Sequence, residues 1–99
     1  MSRSFFVYIL SSGLHGTLYT GMTNDLPRRM FEHREKLKDG FTKRYDVTRL
    51  VWFEQHPQAL AAIRREKQIK AWRRDWKLRL IDESNPDWSD LYPTLAAQL

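Results

Sequence analysis

The stretch Phe5-Phe6-Val7-Tyr8-Ile9-Leu10 and its successor Thr17-Leu18-Tyr19-Thr20-Gly21-Met22 decide the fold. The first is aromatic and β-branched, is bounded by polar turn residues, and predicts a buried strand. Residues 11–16 hold two glycines and predict a hairpin loop. The second stretch is then the return strand, which puts Tyr8 and Tyr19 on adjacent strands. Working outward, Asn24 or Asp25 caps a helix over about residues 24–38, with Pro27 in its first turn. Leu26, Met30 and Leu37 form its apolar stripe, and Gly40 ends it. Residues 49–55 (RLVWFEQ) predict a third strand. His56-Pro57 opens a second helix that runs at least to Trp72 and toward Ile81, because Trp72, Trp76 and Leu80 recur every four residues. No glycine or proline marks a break in it. Asn85-Pro86 closes the helical region, and residues 88–99 make an irregular cover. The order β-β-α-β-α-α is that of an α+β layered domain.

Ninety-nine residues are expected to form one domain over 1–99 with a small core. There is no cysteine, which excludes a disulfide scaffold, a cysteine-ligated zinc site and a thiol nucleophile. The longest apolar run, at residues 5–10, falls far short of the ~18 residues of a membrane span and lacks a signal-peptide cleavage site. The expectation is a soluble cytoplasmic protein with no membrane partner.

The net charge of +5 is not spread evenly. Residues 64–79 (RREKQIKAWRRDWKLR) carry eight basic and two acidic groups, a net of +6, and the remaining residues sum to −1. Trp72 and Trp76 lie inside this window. A basic segment with interleaved aromatics suits a phosphate backbone, and Lys70, Arg73, Arg74 and Lys77 are the expected contacts. The plainer alternative is a solvated helix face with both tryptophans turned into the core. The core is where the two rings are expected.

Arg29 and His33 are four apart on the first helix and share a face beside the Leu26–Met30 stripe. Glu66 has Ala62, Ile63 and Ile69 among its four helical neighbours, with Lys70 as the fourth. A carboxylate on an apolar stripe is costly unless it is paired or holds a metal. An ion pair with Lys70 and a site role are both open. Tyr8 and Tyr19, if buried together, need partners for their hydroxyls. The chain has no glycine-rich phosphate loop, no His-Glu-x-x-His and no serine elbow, and its three histidines lack ligand spacing.

Val7-Tyr8-Ile9 and Leu18-Tyr19-Thr20-Gly21, then Thr23-Asn-x-Leu-x-Arg-Arg-x-x-x-His33, then a later helix with Glu66-Lys67-Gln68-Ile69-Lys70-Ala71-Trp72 and Asn85-Pro86-Asp87-Trp88, form an ordered set. The set resembles the GIY-YIG nuclease superfamily, in particular short standalone bacterial members similar to the N-terminal catalytic domain of the excinuclease repair nuclease. The resemblance covers about residues 4–91. It implies a three-stranded antiparallel sheet flanked by helices, and hydrolysis of DNA phosphodiester bonds with one Mg²⁺ or Mn²⁺, in repair or processing. It puts Tyr8 and Tyr19 on the motif tyrosines, Arg29 on the catalytic arginine, His33 on a position that is histidine or tyrosine in relatives, and Glu66 on the metal-binding glutamate. Asn85 matches a later asparagine near the site. Phe6, Val7 and Thr20 depart from the motif at strand positions, and Met22 stands where some relatives have lysine. Tyr8 is the expected base, with Tyr19 orienting water or phosphate, although nothing in the sequence distinguishes the two phenols in these roles. The rival reading is a non-catalytic nucleic-acid-binding module on the same fold, which has no use for Glu66 beside a phosphate.

Overall fold

The computed structural model describes residues 4–36 and 40–97. Its elements are β1 (Phe5–Ser11), β2 (Leu18–Thr23), α1 (Leu26–Arg34), α2 (Phe41–Arg44), β3 (Arg49–His56), α3 (Ala59–Ala71), α4 (Arg74–Ser84) and α5 (Tyr92–Ala97). The three strands form an antiparallel sheet in the order β2-β1-β3. The central strand is the apolar run that opened the sequence, and Val7, Tyr8, Ile9 and Leu10 are all fully buried. Covered on both faces, this strand is continuously apolar rather than alternating.

Its side chains still alternate between two cores. Val7 and Ile9 pack with Val51, Ala62, Ile69, Ile81 and Trp88, under α3 and α4. Tyr8 and Leu10 pack with Leu26, Met30, Val47 and Leu50, under α1. The helices that carry the candidate site residues therefore lie on opposite faces of one sheet. Met22, paired with Val7, packs against the α3 side, away from Tyr8.

Helix α1 starts where expected. The Asp25 carboxylate accepts from the Arg28 backbone N–H at 3.2 Å, and a proline sits in the first turn. The helix ends at Arg34, earlier than expected, and Leu37 and Lys38 lie outside the described residues. Gly40 does not end it. With φ 139° it precedes the short α2, which no feature of the sequence announces.

The long second helix is broken. Trp72 and Arg73 are both extended, with ψ of 152° and 156°, and separate α3 from α4. The bend lets Trp72 pack against the α3-side core and brings Leu78, Leu80 and Ile81 onto it. Trp76 is left 45 % exposed, which corrects the expectation that both tryptophans are core. The cover over residues 88–99 contains a further helix, α5. Among the described residues no helix is long and apolar enough to cross a membrane.

Candidate active site

Tyr8 stands opposite Gly21 in the register of the β1–β2 pair. A Cβ on Gly21 would come within 2.5 Å of the Tyr8 hydroxyl and 3.1 Å of the Tyr19 ring. Only glycine leaves room for the phenol to lie across β2, which is the edge strand. The Tyr8 hydroxyl then meets His33 Nε2 at 3.2 Å, and His33 Nδ1 meets Thr42 Oγ1 at 3.0 Å. The rings of Tyr8, Tyr19 and His33 lie 5.7–6.3 Å apart, centre to centre.

Burial pushes the Tyr8 phenol up to about 12, and the neighbouring Tyr19 phenol and the Glu66 carboxylate act in the same sense. The Arg29 guanidinium pulls the other way, by its charge and a hydrogen bond, without offsetting the burial. At neutral pH Tyr8 therefore keeps its proton. With His33 neutral and protonated at Nδ1, Nε2 accepts from the Tyr8 hydroxyl and Nδ1–H donates to Thr42.

Arg29 comes from α1, where its Nε also pairs with Glu32 at 3.3 Å. Glu66 comes from α3 on the other face, close enough for its charge to act on the Tyr8 phenol. Two helices separated by the sheet bring charge to one phenol, which lies across the edge strand β2. Glu66 also forms the ion pair that its spacing allowed, with Lys70 Nζ at 2.5 Å. The Lys70 side chain is half exposed, so solvent reaches the ammonium held on the carboxylate. Among the described residues no cluster of three or more His, Asp or Glu is arranged to hold a metal. A single carboxylate with a displaceable cation fits a hydrated Mg²⁺ or Mn²⁺, which keeps several of its waters.

A pocket of about 220 Å³ opens beside these groups, bordered by Tyr19, Arg29, His33, Phe41 and Thr42 among others. Phe41 stacks on Tyr19 at 6.2 Å. Sequence reasoning singles out neither Phe41 nor Thr42. They follow Gly40 with no periodicity or motif to mark them.

The remaining candidates are scattered. Arg74 donates to the carbonyls of His15 and Gly16, both at 2.7 Å, and so holds the β1–β2 loop. Arg73 lies over the Trp76 ring and pairs with Asp75. Lys77 is half-buried on α4. Asn85 caps α4, and its carboxamide is taken up within the fold. Its Nδ2 donates to the carbonyls of Val51 and Ser89, and its Oδ1 accepts from the backbone N–H and hydroxyl of Ser89.

The model of the GIY-YIG catalytic domain matches residues 4–79, a span that begins before Tyr8 and ends beyond Lys77. The chain belongs to the GIY-YIG family. The matched span of this nuclease family includes Tyr8, Tyr19, Arg29, His33 and Glu66. UPF0213 proteins of Staphylococcus aureus strains Mu3 and COL are 38 % identical over 80 residues, covering 81 % of this GIY-YIG chain and 96 % of each relative. The solution NMR structure of a UPF0213 protein from Bacillus halodurans superposes with a TM-score of 0.56 at 29 % identity, over 88 % of this chain and 92 % of that one. The GIY-YIG sheet with its flanking helices is therefore the fold of the chain.

Proposed function

We propose that this GIY-YIG protein is a divalent-metal-dependent endonuclease that hydrolyses DNA phosphodiester bonds in repair or processing. One observation carries the reading: the buried Tyr8 phenol is hydrogen-bonded to His33 beside a pocket lined by Tyr19 and Arg29, with Glu66 adding its charge from the opposite face of the sheet. A purely structural core tyrosine needs one hydroxyl partner and has no use for a cation and an anion beside it.

In this reading Arg29 binds a non-bridging phosphoryl oxygen and takes up charge as it develops. Tyr19 orients the water or the phosphate. The water oxygen bonds to phosphorus and the bond to the 3′-oxygen breaks. The proton leaving the water passes to the Tyr8 oxygen while the phenol proton passes to His33 Nε2, so Tyr8 need never carry a full negative charge. Thr42 accepts from Nδ1–H in the tautomer that can receive it. Glu66 would hold Mg²⁺ or Mn²⁺, with Lys70 displaced, and the cation would supply charge neutralisation for the phosphate and the leaving oxygen. Arg73 and Lys77 contact the backbone beyond the scissile phosphate.

The test is a panel of labelled DNA and RNA structures incubated with Mg²⁺, Mn²⁺ or chelator, for wild type and Glu66→Gln. Wild type should cleave DNA only with a cation. Glu66→Gln should lose about 10²-fold or more of that rate, since metal neutralisation supplies several kcal/mol at the transition state. Its DNA affinity in chelator should hold or rise. Its stability should change by less than about 1 kcal/mol, because the Lys70 pair is partly solvated. Binding with no cleavage of any substrate would leave the non-catalytic module as the reading.

A further inference from the structure

Phe41 and Tyr45 are large aromatic residues exposed at the mouth of the site, 44 % and 49 % accessible. Their rings lie 4.8 Å apart, and Phe41 stacks in turn on Tyr19 with only 27° between planes. The three rings make a continuous aromatic series that starts at the site and runs outward to solvent. The depression over the outer two has a volume of about 760 Å³, and the charged residues lining it, Lys43 and Arg44, are both basic. The Arg44 guanidinium lies 5.6 Å from the Tyr45 ring centre. The nearby acid, Asp46, is engaged with Lys36 at 2.8 Å. Phe41 borders both this depression and the pocket that holds Tyr19, Arg29 and His33.

We infer that Phe41 and Tyr45 form a shelf that stacks an unpaired nucleobase flanking the scissile phosphate, with Lys43 and Arg44 facing its backbone. The inference rests on the nuclease reading for where the phosphate lies. Exposed aromatic faces beside basic side chains match the π-face and the phosphate of a nucleotide together, and a protein-binding apolar patch needs no such charge. A base inside a duplex is already stacked on both sides, so only an unpaired one can present a face to Phe41 or Tyr45. Stacked nucleotides rise about 3.4 Å per step, so rings one aromatic spacing beyond Tyr19 serve the base one or two positions from the phosphate. The shelf thus selects substrates with a gap, flap or single-stranded stretch at that position.

The experiment places 2-aminopurine either at an unpaired position beside a duplex or within a full duplex, in DNA and RNA versions, and reads its fluorescence on binding in chelator. Wild type should quench the unpaired probe and not the paired one. Phe41→Leu with Tyr45→Leu should abolish the quenching and weaken binding to the unpaired substrate about tenfold more than binding to the duplex, the scale of one base–aromatic stack. Phe41→Tyr, which keeps the ring, should retain the signal and guards against misfolding as the cause. Absence of quenching in wild type, or its persistence in the double leucine variant, overturns the shelf. So does a wild-type dimer that the double variant dissolves, since a second copy then covers the rings. Cleavage without quenching sinks the shelf alone. Quenching without cleavage by any metal supports the shelf and sinks hydrolysis instead.

Discussion

A methyl group at Gly21 would stand 2.6 Å from Tyr8 Cζ, well inside contact distance. Gly21→Ala should therefore push the phenol off β2, part it from His33, and cost about 1–3 kcal/mol in denaturant midpoint while cleavage collapses. Tyr8 offers a second test at the same scale. Its phenol is raised from 10.0 to about 12, so the folded state holds that proton where the unfolded chain has lost it. The stabilisation is complete below about pH 10 and disappears as pH rises through 12, an amount of about 2–3 kcal/mol by linkage. Denaturant melts between pH 9 and 12 should show this fall, and Tyr8→Phe should not.

At the scale of elements, the α3–α4 corner decides which basic groups can reach a backbone. Arg74 holds the β1–β2 loop and Lys70 pairs with Glu66, while the Arg73–Asp75 pair is solvent-exposed and Lys77 is half-buried, so Arg73 and Lys77 are the pair to test of the four expected from the sequence. Arg73→Ala with Lys77→Ala should weaken DNA binding for every sequence and lower the salt slope by about one unit for each phosphate no longer neutralised, read from titrations at several salt concentrations. Arg74→Ala should instead destabilise the loop. The corner itself is not legible in the sequence. Trp72 and Arg73 leave the helix for tertiary reasons, to seat Trp72 on the core, and neither residue type breaks helices by propensity. Helix α2 is invisible for a different reason: four residues carry no period. The strands are legible because β1 is a run of apolar residues cut off by turn residues on both sides. The tyrosines, Arg29, His33 and Glu66 are legible only as an ordered motif, since no single spacing brings β1 and α3 to one place. Thr42 and Phe41 join them through the fold, from a segment with no such mark.

Across the whole molecule, the chain end is stitched to the sheet. Trp88 is fully buried, its indole N–H donates to Asp82 at 2.6 Å, and Arg49 donates to its carbonyl. Leu91 N–H donates to the Leu50 carbonyl, and Arg34 of α1 pairs with Asp90 and lies 4.4 Å from the centre of the Tyr92 ring. Asn85→Ala would strip four hydrogen bonds from this seam and leave the Val51 carbonyl short of a partner. It should lower stability by about 1–3 kcal/mol with cleavage per folded molecule unchanged, measured by thermal melts beside the rate at a temperature where both proteins are native. The placement of the phenol at the open side of β2 has one more consequence, in time rather than space. Tyr8, Tyr19, Arg29 and His33 come together through a hairpin and the helix that follows it, neighbours along the chain. Glu66 lies on the helix after β3, which pairs with the far side of β1, so its place depends on closures over a longer stretch of chain. Such distant closures are the slow ones. During synthesis or refolding, the cluster of Tyr8, Tyr19, Arg29 and His33 should form before Glu66 joins it.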